Sequence, residues 1–240
     1  MELVFGIHAV LECLRSGSRP VEKIHIARGA SGRGIEEVLR LARKAGVSLR
    51  FEHRAWLDQR AGGAHQGVVA VCGVCPTVDL EQLLKGLPAQ PLLVLLDSIE
   101  DPRNLGAILR NCAAAGADGV VLPKDRSVGL TPTVSKTAAG ALEYVPVVRV
   151  TNLVTAIQRI RDQGLWVVGV ETGKDLAWYD VDYTVPVALV FGNENKGLRR
   201  LVQLSCDRLV SIPTPGPIQS LNVSVASGIA LFEVCRQRSG

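Results

Sequence analysis

The chain has no uninterrupted apolar run of about 18 residues, so no transmembrane helix is expected, although 47% of its 240 residues are apolar. It opens Met-Glu-Leu-Val-Phe-Gly, with no basic stretch leading into an apolar one, so no secretory signal is expected and the protein reads as cytoplasmic. Its six cysteines are scattered through apolar stretches, which suits a reducing compartment and not a disulfide framework. Cys72-Gly-Val-Cys75 has no second pair to complete a zinc site, so no metal is expected and the two thiols read as packing. The larger half has no G-x-G-x-x-G after its first strand, which argues against a nicotinamide dehydrogenase. Three tryptophans, Trp56, Trp166 and Trp178, are too dispersed for a base-stacking platform. There is no internal repeat and no low-complexity tract.

Net charge is only +4, but it is unevenly spread. Residues 1–75 hold 11 Lys and Arg against 7 Asp and Glu, whereas residues 76–240 hold 16 against 16. The excess is mostly arginine (Arg15, Arg19, Arg28, Arg33, Arg40, Arg43, Arg50, Arg54 and Arg60), the side chain whose planar fork suits phosphate. This first part therefore reads as a face for nucleic acid, with a solvated helix face as the plainer alternative. The glycine-rich Gly29-Ala-Ser-Gly-Arg-Gly34 fits a flexible loop reaching RNA better than a dinucleotide fingerprint.

Periodicity predicts helices over 7–14 and 34–45 and strands over 21–27, 47–52 and 68–74, a compact α/β module. The mixed segment from Cys75 to Pro91, with a short helix over 80–84, marks a junction. Beyond it, continuous apolar strands over 92–96, 119–122, 145–150, 165–170, 185–191 and 209–212 alternate with helices over 103–115, 133–140, 153–163, 198–204 and 222–236. That alternation predicts a parallel sheet covered on both faces. The last helix is apolar on most sides and is expected to be buried against the sheet or a partner subunit.

Three segments in this half carry the chemistry. In Asp97-Ser-Ile-Glu-Asp-Pro-Arg-Asn-Leu-Gly-Ala-Ile-Leu-Arg-Asn111, a strand turns into a helix with Leu105, Ile108, Leu109 and Cys112 on its core face and Arg110 pointing away. Taken alone, Asn104 reads as a capping residue and Arg110 as a surface arginine. In Leu189-Val-Phe-Gly-Asn-Glu-Asn-Lys-Gly197, Gly192 and Gly197 permit a sharp turn and close approach of backbone to a ligand, and Glu194 is the loop's only acid. The order Lys196-Gly197-Leu198 is not that of a phosphate loop. The plainer alternative is a turn in which Asn195 caps the next helix. In Ile212-Pro-Thr-Pro-Gly-Pro-Ile-Gln-Ser-Leu-Asn-Val-Ser-Val-Ala226, a rigid loop ends in Ser220 and Asn222, both good caps for the last helix.

In this order the three segments resemble the signature motifs of the SpoU/TrmH family of RNA ribose 2′-O-methyltransferases. The match rests on Asn104 and Arg110, on Gly192 and Glu194, and on Ile212, Ser220, Leu221 and Asn222. The resemblance implies a SPOUT-type, trefoil-knotted parallel-sheet domain that binds S-adenosylmethionine (SAM) through the backbones around Gly192, Ile212 and Leu221. It implies a catalytic pocket lined by Asn104, Arg110, Glu194, Ser220 and Asn222, with Arg110 as base or as electrostatic stabiliser, and it implies a homodimer. Phe5-Gly-Ile-His-Ala-Val10 and His65-Gln-Gly-Val-Val-Ala70 resemble the ends of the extra domain of the ribosomal-RNA guanosine 2′-O-methyltransferase branch, an RNA-binding module similar to the L30e/L7Ae ribosomal proteins. His8 and His65 are candidates for RNA contact there, with a structural role equally open. The expected arrangement is an RNA-binding domain over 1–75, a linker over 76–90 and a methyltransferase domain over 91–240. The expected substrate is large-subunit (23S) ribosomal RNA. A transfer-RNA methyltransferase of the same family and a non-catalytic RNA-binding protein are the alternatives. DNA lacks the acceptor 2′-hydroxyl.

Overall fold

The structure, a computed structural model, describes residues 1–61 and 64–239. The chain forms two compact units, one of Met1–Pro76 with Leu130–Tyr144, the other of Thr77–Gly129 with Val145–Gly240. In chain order the described elements begin β1 (Glu2–Phe5), α1 (Ile7–Ser16), β2 (Val21–Ala27), α2 (Arg33–Lys44), β3 (Ser48–Glu52), α3 (Arg54–Arg60) and β4 (Val68–Cys72). They continue β5 (Thr77–Val78), α4 (Leu80–Lys85), β6 (Leu92–Leu96), α5 (Pro102–Ala115), β7 (Gly119–Pro123), α6 (Pro132–Ala138), β8 (Val147–Val150) and α7 (Leu153–Asp162). Last come β9 (Trp166–Val170), β10 (Val187–Phe191), α8 (Arg200–Ser205), β11 (Arg208–Val210) and α9 (Val223–Arg238).

The first unit is built on a four-stranded sheet in the order β1-β4-β2-β3. One face buries Ile24, Ile26, Val68 and Ala70 under Val10 of α1 and Val38 of α2. The other buries Phe5 and Val69 under Leu57 of α3. His65 is a structural residue: it is 2% exposed, its Nε2 pairs with Asp58 at 2.8 Å and its Nδ1 accepts the Gly67 amide at 3.0 Å. His8 is exposed. The arginine surplus is smaller at the surface than its count suggests. Arg19 is 4% exposed, and its guanidinium donates to Glu143 at 2.6 and 3.1 Å and to Glu2 at 3.0 Å. Arg15 pairs with Glu12 and Arg40 with Glu37. Arg28, Arg33, Arg43, Arg50, Arg54 and Arg60 stay exposed. Cys72 and Cys75 lie in the interior, 0% and 6% exposed, and burial pushes the Cys75 thiol up to about 11.

The second unit holds a seven-stranded sheet, order β11-β9-β10-β6-β7-β8-β5, whose recorded pairings are all parallel. β6, Leu-Leu-Val-Leu-Leu, is at most 2% exposed along its length, as a strand covered on both faces must be. Each such leucine contributes roughly 1.5–3 kcal/mol on leaving water. The chain runs outward through β6, β7 and β8, then crosses to β9 and returns to place β10 between β9 and β6. Ligands of open parallel sheets bind at such a reversal, outside the carboxyl ends of the strands. The loops after β6, β9, β10 and β11 meet there.

α9 packs against α5 through Val223, Ser227, Ala230, Leu231 and Val234. Asn111, beside Arg110, donates to the Ser224 carbonyl at 2.7 Å and to Ser227 Oγ at 3.1 Å, tying the two helices near the start of α9. At its far end Arg238 donates to the carbonyls of Tyr183, Gln90, Pro91 and Val185. α9 is thus fixed at both ends, and so is the loop that feeds it.

Candidate active site

Asp97 starts the site. It follows the last leucine of β6, is fully buried, and takes the Arg199 backbone amide at 2.8 Å and Arg199 Nε at 2.6 Å. Ser98, at φ +64°, turns the chain, and its carbonyl accepts Asn193 Nδ2 at 3.0 Å. The β6 turn therefore holds the loop that follows β10. That loop is closed on itself by Asn193 N to the Gly197 carbonyl (3.1 Å) and Gly197 N to the Asn193 carbonyl (2.8 Å). Asn193 Oδ1 also accepts the amides of Asn195 and Lys196. Asn195 consequently does not cap the next helix, which opens at Arg200 and not at 198, because Asp97 holds the Arg199 amide in extended backbone. From the other side Glu171, at the end of β9, accepts the Leu198 amide at 2.7 Å.

These loops enclose a cavity of about 360 Å³. Gly192, Glu194, Ile212, Ser220 and Leu221 line it, with Glu171 and Thr172 from the β9 loop. Gly192 is required for space: a Cβ there would fall 2.5 Å from the Gly197 carbonyl oxygen, and closer still to the Leu198 amide. Asn222 caps α9, its Oδ1 accepting Ser224 N at 2.9 Å. Its Nδ2 donates to Asn104 Oδ1 at 3.0 Å, and Asn104 Nδ2 donates to Glu194. One polar residue from each of the three segments thus joins a single hydrogen-bonded chain at the edge of the cavity. The cap of α5 is Asp101, which leaves Asn104 free for this chain.

Arg110 is not brought into that chain. It lies six residues beyond Asn104, about 9 Å further along the helix axis. It is exposed, and among the described residues its side chain makes no hydrogen bond or ion pair. Ser220 lines the cavity, its side chain making no hydrogen bond among the described residues. Asp97, Asn193 and Glu171 were not singled out from the sequence. The signal for Asp97 was there: a carboxylate directly after five buried aliphatic residues must find a partner.

The match to known proteins bears on this same region. The model of the SpoU rRNA methylase family matches residues 91–232. A second, described as RNA 2′-O ribose methyltransferase substrate binding, matches residues 3–73. The chain belongs to the SpoU rRNA methylase family. It is 44% identical over 240 residues to the 23S rRNA (guanosine-2′-O-)-methyltransferase RlmB of Ralstonia nicotianae, covering 99% of this chain and 96% of that one. It is 41% identical over 241 residues to the putative TrmH family tRNA/rRNA methyltransferase YacO of Bacillus subtilis, with the same coverage. Among solved structures, the SpoU methyltransferase AviRb from Streptomyces viridochromogenes in complex with AdoMet superposes with a TM-score of 0.82 at 28% identity, covering 99% of this chain and 90% of that one.

The cavity suits SAM, the cofactor of this family. SAM has no phosphate, so a phosphate loop is not required. Its net positive charge suits a cavity with two carboxylates, Glu171 and Glu194, in its lining, and its apolar parts suit Phe191, Ile212, Leu221 and Val223. The missing Cβ of Gly192 lets the 192–197 loop close on its own backbone and so keep the shape of the cavity wall.

Proposed function

We propose that the protein transfers the methyl group of SAM to the ribose 2′-hydroxyl of a guanosine in 23S ribosomal RNA, in the cytoplasm. The observation that carries this reading is the Asn222–Asn104–Glu194 chain at the edge of a glycine-floored cavity. The bound cofactor supplies a methyl carbon activated by sulfonium. The backbones around Gly192, Ile212 and Leu221 hold it. Asn104 and Asn222 fix the orientation of Glu194, whose carboxylate favours positive charge beside it. Arg110 offers a planar guanidinium fork of hydrogen-bond donors and no acceptor. It serves the acceptor, holding the neighbouring phosphate and stabilising negative charge as it develops on the 2′-oxygen. Ser220 borders the acceptor side. Residues 1–75 form the RNA-binding domain, and their exposed arginines engage phosphate. Residues 91–240, apart from the Leu130–Tyr144 stretch of the first unit, form the methyltransferase domain, with the knotted path that the family resemblance implies.

The active form is a homodimer. Val225, Ile229 and Phe232 fall at i, i+4 and i+7 on the side of α9 away from α5, with Val225 50% and Phe232 53% exposed. A second copy of this chain covers that stripe. The test of the site is Arg110→Ala, which is expected to abolish methyl transfer while S-adenosylhomocysteine still binds, measured by calorimetry. Turnover within a few-fold of wild type would overturn the assignment of Arg110.

A further inference from the structure

Glu171 is a carboxylate in the cavity that none of the three segments includes. Its two oxygens are unequally engaged. Oε2 accepts the Leu198 amide at 2.7 Å and Gln203 Nε2 at 3.4 Å. Among the described residues Oε1 accepts only the Thr172 amide, at 3.3 Å. A carboxylate oxygen has two acceptor sites and no donor, so Oε1 keeps capacity for a hydroxyl or ammonium group. The Leu198 contact fixes the carboxylate in place, and the absence of a side chain at Gly197 leaves it room: a Cβ there would stand 2.5 Å from each Glu171 oxygen.

The position of Glu171 within the site narrows what it meets. Glu194 reaches toward Asn104 on the β6 side of the loop, where the acceptor must approach. Glu171 ends β9, on the opposite side of β10 from β6. Adjacent strands lie about 4.8 Å apart, so the two carboxylates address different parts of one ligand. The reacting carbon belongs to the Glu194 side. The methionine end of SAM carries its own carboxylate beside its ammonium, so the repulsion of the one offsets the attraction of the other at Glu171. The nucleoside end carries a vicinal diol, two donors for an acceptor-only group, and a carboxylate at a strand's carboxyl end is a general way to hold a ribose.

We propose that Glu171 recognises the ribose hydroxyls of SAM through Oε1, while Oε2 fixes the 192–197 loop. This inference rests on the assignment of the cavity to SAM. The experiment is calorimetric binding of S-adenosylhomocysteine and of its 2′,3′-dideoxy analogue to the full chain. Wild type is expected to bind the first at least about tenfold tighter, the range of a charge-assisted hydrogen bond. Glu171→Ala should bind both alike, and Glu171→Gln, which keeps an acceptor oxygen, should recover part of the difference. Equal binding of the two ligands by wild type would overturn the proposal whether or not any variant folds. So would a Glu171→Ala protein that binds both more weakly with the ratio preserved, since that is the signature of the loop contact alone. A change confined to the ratio between SAM and S-adenosylhomocysteine would place Glu171 at the sulfonium and overturn it as well. No binding of S-adenosylhomocysteine by wild type would overturn the SAM assignment itself, and this inference with it.

Discussion

Gly192→Ala is the sharpest perturbation of the site. The new methyl would meet the Gly197 carbonyl oxygen at 2.5 Å, with the Gly197 carbonyl carbon and Leu198 amide nearer still. Carbon contacts are comfortable at about 3.5–4.0 Å, so the loop must move by roughly 1 Å. All the obstructing atoms are backbone, and no rotamer change relieves them. The movement breaks the two Asn193–Gly197 backbone hydrogen bonds and strains the Leu198 amide contact to Glu171. At about 1 kcal/mol for each neutral bond and about 1.5–3 for the charged one, closing the loop then costs about 3–5 kcal/mol. If the closed loop is the binding form, affinity for S-adenosylhomocysteine falls at least about 100-fold, at about 1.4 kcal/mol per factor of ten. Gly197→Ala makes a useful contrast. Its φ of +63° costs an alanine about 1–2 kcal/mol, but its obstacle is the end of the Glu171 side chain, which can swing away. The expected order of affinity is wild type, then Gly197→Ala, then Gly192→Ala. Calorimetry with thermal denaturation as a folding control reads it. Binding by Gly192→Ala within about threefold of wild type would refute the close-approach argument.

Other expectations concern the rest of the molecule. Glu143→Ala takes two charged hydrogen bonds from the buried guanidinium of Arg19 and leaves Glu2 as its remaining carboxylate partner, the side chains of Arg19 and Glu143 being each 2% exposed; the loss should be about 3–5 kcal/mol, seen as a fall in Tm on the order of 10 °C. Burial holds the His25 imidazole below its ordinary value of about 6.5, against the upward pull of Glu52. The unfolded chain therefore takes up a proton first: His25 contributes stability above pH about 6.5 that is lost as pH falls through its lowered pKa. His25→Gln should flatten that acid limb in urea titrations at pH 5 and 7.5, and an unchanged limb would remove His25 as its source. Phe232→Glu should give a monomer by light scattering; a dimer in that variant would put the subunit contact elsewhere than the exposed face of α9.

The apolar strands of the larger sheet were legible because each is a continuous aliphatic run, and β6 and β10 are buried along their whole length. β1 and α3 were not: β1 has four residues before any turn signal, and α3 buries only Leu57, too little for a periodic stripe. The family resemblance pointed to Asn104, Glu194 and Asn222, which taken alone read as caps and a turn acid; their mutual contact spans 118 residues between Asn222 and Asn104 and depends on strand order. Periodicity does not encode strand order. The supports Asp97 and Glu171 escaped notice because their partners are backbone amides brought in by another loop, and Asn193 because its cross-loop partner is a backbone carbonyl, that of Ser98. The arginine count overstated the basic surface because Arg19 looks like its neighbours until Glu143, 124 positions away, closes on it.

The central claim is tested most directly by following radiolabelled methyl from SAM onto unmodified 23S ribosomal RNA, with bulk transfer RNA alongside and Arg110→Ala as control. Label in the ribosomal RNA alone, in one dinucleotide that resists alkaline hydrolysis and is absent with Arg110→Ala, is the expected result. Label confined to transfer RNA, or no label from protein that binds SAM, would contradict it.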